Sequence, residues 1–247
     1  MEKAEAAGPL VARKVGGGHH RPLALTKAET GLLEPFVGLL PERIHVPKTK
    51  AECEAAAAAI LAAGVAGFDT EAKPTFRAGE KSTGPHVVQF ALTDRAYIFQ
   101  LRRDDCLKVA ADLIASEQVL KVGFGLKNDH GQIRNRMGVA IHSVLDLDHI
   151  FKKRGYKGQI GVRAAMGAVM NRSFPKSKTV TTSNWAAAEL TGRQLSYAAN
   201  DAYAALKIME ALDLKPGERE AAHESRHEHK APKGEGEGRG RRRRRRR

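Results

Sequence analysis

Cysteines and long hydrophobic runs are scarce in this sequence of 247 residues. The two cysteines, Cys53 and Cys106, cannot form a disulfide framework, and their separation fits no metal-ligand spacing, so they indicate a reducing compartment. The longest apolar run, residues 55–63, is too short and too rich in alanine to cross a membrane. The N-terminus also lacks the continuous apolar segment of a secretory signal. These absences predict a soluble, cytoplasmic protein with no membrane partner.

Positive charge, in contrast, is abundant. The net charge of +14 and the pI of about 10.0 favour a polyanionic partner, nucleic acid before an anionic membrane. Residues 215–247 contain 13 Lys or Arg against 6 Asp or Glu, so this short stretch carries half of the net charge. We interpret its run of arginines, 239–247, as an arm that adds salt-sensitive affinity for nucleic acid. A charged tail without a required partner has the same composition.

Composition divides the chain into three segments. Residues 1–45, with prolines at 9, 22, 35 and 41, are predicted to be an irregular N-terminal extension. Residues 214–247 are predicted to be a disordered, basic, Arg-rich tail, because they hold too little apolar surface to offset the entropy of ordering. Residues 46–213 remain as the folded domain.

Hydrophobic periodicity within this domain predicts alternating helices and strands. The predicted elements are a helix over 50–63, strands over 65–71, 86–92 and 96–101, a helix over 107–115, a strand over 119–124, a helix from 128 or 129 to 137, a strand over 143–147, and a final helix from a capping box at 191–194 to about 212. Further helices, interrupted by a polar loop over 173–183, precede the last one. This order predicts an α/β fold with a mixed central sheet flanked by helices.

Acidic residues lie at the end of one predicted strand and after another. Asp69 and Glu71 lie two positions apart on one strand, so their side chains point to the same face. A strand that simply emerges into solvent would carry such acids equally well. Asp129 begins a helix directly after a strand, where an acid is common without any function. Each acid alone therefore admits both a structural and a functional interpretation.

Tyr197 and Asp201 lie four positions apart on the final helix, on one face. The alanines around Asp201 let this helix pack closely on a sheet, where an acid is costly to bury unless it is paired. Alternatively, the same face points to water. Asp201 falls near the edge of the apolar stripe, so periodicity leaves both possibilities open.

Taken together, four carboxylates and a tyrosine on a strand, a strand–helix junction and a late helix favour a two-metal phosphodiesterase site. Mg²⁺ and Mn²⁺ prefer oxygen ligands. Two such ions, about 3.5–4 Å apart, would hold the scissile phosphate, activate a water and stabilise the leaving 3′ oxygen.

Three motifs in this set resemble those of the DEDD exonucleases, in the tyrosine-bearing branch with ribonuclease D and the exonuclease domain of the Werner syndrome helicase. The motifs are Phe68-Asp69-Thr70-Glu71, the segment 121–129 that ends in Asp129, and the segment 195–204 that holds Tyr197 and Asp201. The resemblance covers about residues 48–212. It implies a ribonuclease H-like fold and a 3′→5′ exonuclease that releases nucleoside 5′-monophosphates from single-stranded or recessed 3′ ends of DNA or RNA.

The resemblance also implies a role for each motif residue. Asp69, Glu71, Asp129 and Asp201 would bind two divalent ions, Mg²⁺ or Mn²⁺, and Tyr197 would orient the attacking water. Ala72 stands where the family often has a bulky residue beside the terminal nucleotide. The resemblance therefore does not imply how the 3′-terminal base is bound.

The loop before the last motif supplies further substrate-binding candidates, namely Arg172, Lys176, Lys178 and Trp185. A solvated basic loop explains the same lysines and arginine, and a single tryptophan is more typical of a core or loop anchor than of a base-stacking platform. The alternative function is a non-catalytic nucleic-acid-binding module that uses the basic tail, which the complete carboxylate set opposes. The sequence does not indicate an oligomeric state.

Overall fold

The computed structural model describes residues 24–76, 79–80, 82–215 and 218. In chain order the elements are α1 (Lys27–Gly31), β1 (Ile44–His45), α2 (Lys50–Ala63), β2 (Val65–Glu71), β3 (Val87–Ala91), β4 (Ala96–Gln100), α3 (Asp104–Ala115), β5 (Leu120–Gly123), α4 (Asp129–Met137), β6 (Val144–Asp146), α5 (Leu147–Lys153), α6 (Val162–Met170), α7 (Lys178–Thr181) and α8 (Gly192–Ala211). Short 3₁₀ turns precede β1 and α4. The predicted arginine arm and residues 1–23 lie outside the described residues.

The six strands form one mixed sheet in the order β1-β4-β3-β2-β5-β6. β3 pairs antiparallel with β2 and with β4, whereas the other neighbouring strands are parallel. One face of the sheet packs through Phe68, Phe90 and Phe99 against α2 and α3. The other face packs through Val87 and Ala91 against α8. The predicted α/β class with a mixed central sheet is therefore confirmed.

Helix α8 lies close to the sheet because the side chains in contact are small on both the helix and the sheet. A Cβ atom added to Gly67 on β2 would lie 1.9 Å from the carbonyl oxygen of Ala202 on α8. The contacting face of α8 carries the buried Ala198 and Ala199 as well. A glycine opposite a row of alanines thus lets the helix backbone rest directly on β2, two residues before Asp69.

Local signals placed the element boundaries well in the first half of the domain. The predicted helix over 50–63 and strand over 65–71 match α2 and β2 at both ends. Gly64 ends α2 because it adopts a left-handed conformation, with φ of 67°, that favours glycine. The capping box predicted at the start of α8 is also present, since the Thr191 side chain accepts a hydrogen bond from the Gln194 N–H.

The prediction of an irregular segment is wrong for residues 24–45. This stretch contains α1, a 3₁₀ turn and β1, which pairs with β4 at the edge of the sheet. Long-range contacts order it: the Phe36 N–H donates to the Ser173 carbonyl at 2.8 Å, and the Leu39 N–H donates to Asn200 Oδ1 at 2.8 Å. Elements this short have no periodicity of their own, so sequence reasoning could not find them.

Order also continues beyond residue 213, where the sequence predicts the tail. Leu214 is buried in the core, and the Arg154 guanidinium pairs with Glu218 at 2.8 Å. No helix among the described residues has both the length and the apolar character needed to span a bilayer.

Candidate active site

Three carboxylates meet where α8 crosses the end of β2. Asp69 and Glu71 share one face of the strand, and Asp201 reaches them from the helix, so that oxygens of all three lie within 4.8 Å of one another. Asp201 is only 5% exposed, and Glu71 is 9% exposed. The side-chain direction that helix periodicity left open is therefore inward. We call Asp69, Glu71 and Asp201 the carboxylate triad.

Crowding and burial raise the pKa values of the three carboxyl groups of the triad. Burial and repulsion from Asp201 raise the pKa of Asp69 to about 7. Burial and repulsion from Asp69 raise the pKa of Glu71 to about 9. Burial also raises the pKa of Asp201, although the nearby Lys176 opposes this shift. Ionising the whole triad is unfavourable unless a cation compensates its charge.

We expect the metal-free protein to lose stability as the pH rises from about 4, the ordinary carboxyl pKa, towards about 9, the raised pKa of Glu71. Across this window the folded chain binds more protons than the unfolded chain, so the free energy of unfolding falls with rising pH. Thermal melts in EDTA from pH 5 to pH 9.5 measure this effect. Glu71→Gln should flatten the dependence, and Glu54→Gln, on the exposed face of α2, should not. An unchanged dependence in Glu71→Gln would contradict the expectation.

Lys176 supplies one positive charge to the triad. Its Nζ lies 2.7 Å from Asp201 Oδ2 and 5.6 Å from the centre of the Tyr197 ring. Burial alone would lower the pKa of Lys176, but the neighbouring Asp201, Tyr197 and Asp69 together more than offset this and raise it. A single lysine therefore compensates part of the negative charge of three carboxylates.

The donor set of the triad fits a divalent metal ion. Every donor atom is a carboxylate oxygen, the type that hard cations such as Mg²⁺ and Mn²⁺ prefer. Moreover, Asp201 Oδ1 is buried and has no hydrogen-bond partner among the described residues. An unpartnered, buried carboxylate oxygen is costly, and a bound cation would satisfy it.

Asp129 lies beside the triad but not within it. Its Oδ1 accepts a hydrogen bond from the hydroxyl of Thr70, the residue between Asp69 and Glu71, at 3.3 Å. Burial raises the pKa of Asp129 to about 6. Its contribution to metal binding stays a prediction, although its charge is near enough to raise the pKa of Asp69 and of Glu71.

Tyr197 stands next to Asp201 and is held by its surroundings. Its hydroxyl lies 2.9 Å from Thr181 Oγ1, and its ring centre lies 6.0 Å from that of Trp185. Burial raises the pKa of Tyr197 to about 12. The hydroxyl therefore stays protonated near neutral pH, so it can donate a hydrogen bond but carries no negative charge.

The prediction that Trp185 contacts the substrate is corrected. Its side chain is 1% exposed, and its Nε1 donates to the Thr181 carbonyl at 3.3 Å. A ring enclosed in this way offers no face to a base. Instead, Trp185 anchors the loop before α8 and packs against Tyr197.

Of the three basic candidates in this loop, the fold brings only Lys176 to the triad. Lys178 is exposed at the start of α7. Arg172 is exposed, and its Nη1 donates to the adjacent Asn171 carbonyl at 3.2 Å. Substrate contacts by Arg172 and Lys178 stay predictions.

Sequence reasoning missed Gln89. This residue lies directly opposite Asp69 in the antiparallel β2–β3 pair and is fully buried. Neither polar atom of its amide has a hydrogen-bond partner among the described residues. A polar residue within the apolar strand 86–92 was the available signal.

Comparisons with known proteins agree with this geometry. A family model described as 3′-5′ exonuclease matches residues 44–215. The exonuclease 3′-5′ domain-containing protein 2 of Drosophila melanogaster is 34% identical over 107 residues, which are 42% of this chain and 18% of that protein. The bifunctional 3′-5′ exonuclease/ATP-dependent helicase WRN of Mus musculus is 26% identical over 151 residues, which are 60% of this chain and 11% of that protein. This chain thus spans less than a fifth of either relative.

Solved structures show the same architecture. Trypanosoma brucei RNase D, in complex with RNA U12, superimposes with a TM-score of 0.61 and 20% sequence identity, covering 70% of this chain and 63% of that one. Identity this low is evidence for the fold alone, and it confirms the predicted ribonuclease H-like exonuclease fold. The family match covers most of the chain and includes all three motifs that resemble ribonuclease D and the Werner exonuclease domain. The chain therefore belongs to the family of 3′-5′ exonuclease domains.

Proposed function

We propose that the protein hydrolyses phosphodiester bonds from the 3′ ends of nucleic acid and releases nucleoside 5′-monophosphates. The single observation that supports this most directly is the convergence of the carboxylate triad within 4.8 Å, in a chain of the 3′-5′ exonuclease family. In this proposal Asp69, Glu71, Asp129 and Asp201 hold two divalent ions, Mg²⁺ or Mn²⁺.

The metal ions, when bound, supply the Lewis acid that activates water and stabilises the leaving oxygen. The protein's own residues position the reactants. Tyr197, protonated at neutral pH and fixed by Thr181, donates a hydrogen bond that orients the attacking water or a phosphate oxygen. Lys176 brings an ammonium group to the same place, where it can pair with a phosphate oxygen. The burial of the triad keeps bulk water away and strengthens these interactions.

The proposed substrate is a single-stranded or recessed 3′ end of DNA or RNA. The net charge of +14 supports a polyanionic substrate, and the similar RNase D structure contains RNA. The scarcity of cysteines supports a reducing compartment, so we place the activity in the cytoplasm.

One degradation experiment tests the function. The full chain is incubated with 5′-labelled and 3′-labelled strands of DNA and RNA, single-stranded or recessed, in Mg²⁺, Mn²⁺ or EDTA. We expect a ladder of shortening products from the 5′ label and immediate mononucleotide from the 3′ label, in either metal but not in EDTA. Degradation that persists in EDTA, or that begins at the 5′ end, would refute the proposal. Binding without degradation in every metal would support the non-catalytic module instead.

A further inference from the structure

A cavity of about 290 Å³ lies where α1 approaches the N-terminal end of α6, and Lys176, the ion-pair partner of Asp201, forms part of its lining. Its wall carries three cationic side chains, Lys27, Arg163 and Lys176, and none of the described residues that line it is acidic. We call it the cationic cavity. A pocket of this composition favours an anion.

The charges of the cationic cavity are largely uncompensated. The Arg163 guanidinium donates to two neutral carbonyls, Phe174 O at 3.3 Å and Lys176 O at 3.5 Å, which fix its position without neutralising it. Lys27 is exposed, and its ammonium group makes no hydrogen bond or ion pair within the part of the chain that the structure describes. Among the described residues, Lys176 forms an ion pair with Asp201, whereas Arg163 acts on that carboxylate from a distance without forming an ion pair.

The backbone of α6 adds to the positive potential. Val162–Met170 is a helix of 9 residues whose N-cap, Gly161, has no side chain to bond the free N–H groups of the first turn. These groups and the helix dipole favour an anion at the same end of the cavity that Arg163 lines. The helix terminus and the side-chain charges therefore attract the same kind of ligand.

Lys176 joins the cationic cavity to the proposed site of hydrolysis. It lines the cavity, and its ammonium group lies 2.7 Å from Asp201 Oδ2. An anion in the cavity is therefore a near neighbour of whatever the triad binds. A nucleic acid strand carries a phosphate on every nucleotide, so a strand with its terminal linkage at the triad has another phosphate close by.

We propose that the cationic cavity binds a phosphate group of the substrate strand, on the 5′ side of the scissile linkage. This inference rests on the proposed function for its substrate. It assigns Lys27 and Arg163 as phosphate-binding residues and gives α1 a direct role in holding the substrate.

The test measures binding of the full chain to fluorescent single-stranded DNA and RNA in EDTA, by anisotropy over a range of salt concentrations. Lys27→Ala and Arg163→Gln should each weaken binding severalfold at low salt. Each should also reduce the slope of log affinity against log salt by about 0.7, the value for one phosphate contact on a single strand. Arg163→Lys keeps the charge and should keep the slope, which separates charge from any change in the loop. Lys108→Ala, on α3 at the opposite face of the sheet, should match the wild type.

Unchanged slopes for both cavity variants would overturn the proposal, as would an equal loss in Lys108→Ala. Inorganic phosphate as a competitor tests the other possible source of the anion. In one outcome, inorganic phosphate no longer weakens oligonucleotide binding in the cavity variants, while their slope of log affinity against log salt equals that of the wild type. The cavity then binds free phosphate and not the strand. These outcomes are separate from hydrolysis. If the cavity variants show unchanged slopes and the protein still degrades DNA or RNA in Mn²⁺, then phosphate binding by the cavity is refuted and the proposed function stays in place.

Discussion

Replacing Asp69 with asparagine should abolish metal-dependent degradation and, in the absence of metal, stabilise the fold. Asparagine keeps the shape of the side chain but removes an ionisable carboxylate that is crowded against two others within 4.8 Å. We expect activity to fall by more than about 100-fold, because even residues that only support metal ligands typically cost 10–100-fold. The metal-free melting temperature should rise by about 2–4 °C for each kcal/mol of repulsion relieved.

Both effects are measured on the same preparations. Degradation is followed in Mn²⁺, thermal melts are recorded in EDTA at pH 8, above the pKa of about 7 for Asp69, and oligonucleotide binding is measured in EDTA. Binding should remain largely in place, since the change does not remove a positive charge. Asp112→Asn, the same chemical change on the exposed surface of α3, is the matched control and should leave activity unaltered. Wild-type activity in Asp69→Asn would refute the assigned site.

Replacing Lys176 with methionine should have the opposite effect on stability. Lys176 is paired at 2.7 Å with Asp201, whose side chain is 3% exposed. Removing one partner of a buried ion pair leaves the other charge uncompensated, at a cost of about 3 kcal/mol, the lower end of the usual range because Lys176 itself is partly exposed. Mn²⁺ should restore much of this loss, since a metal ion takes over the compensation of the triad.

Chemical denaturation in EDTA and in Mn²⁺ measures both parts of this expectation. Lys176→Arg, which retains the charge, should lose far less stability than Lys176→Met. Lys108→Met breaks the exposed pair with Asp112 and should cost less than about 1 kcal/mol. If Lys176→Met is as stable as the wild type in EDTA, then Lys176 does not compensate the triad.

Local rules predicted several parts of this molecule correctly because the causes are local. Alternation along β2 puts Asp69 and Glu71 on one face whatever packs above them. The capping box at Thr191 starts α8, and Gly64 ends α2, through hydrogen bonds and backbone angles that involve only neighbouring residues. The motif set, read in order, also predicted the family.

Other features depended on contacts between distant parts of the chain. Sequence reasoning treated residues 24–45 as irregular, yet backbone N–H groups of this segment donate to the Ser173 carbonyl and to the Asn200 side chain and so order it. It grouped Lys176 with Arg172 and Lys178, whereas the path of the loop brings only Lys176 to Asp201. The arginine arm, predicted from composition alone, lies outside the described residues and stays a prediction.

The carboxylate triad shows most clearly what each level of structure decided. The sequence by itself determined which residues can take part, because strand and helix periodicity place Asp69 beside Glu71 and Tyr197 beside Asp201. Only the tertiary structure decided that Asp201 points inward. The reason is the contact between Gly67 and Ala202, which rests α8 directly on β2 and brings the adjacent Asp201 beside the two strand carboxylates. Helix periodicity describes one helix alone, whereas burial depends on which surface that helix packs against.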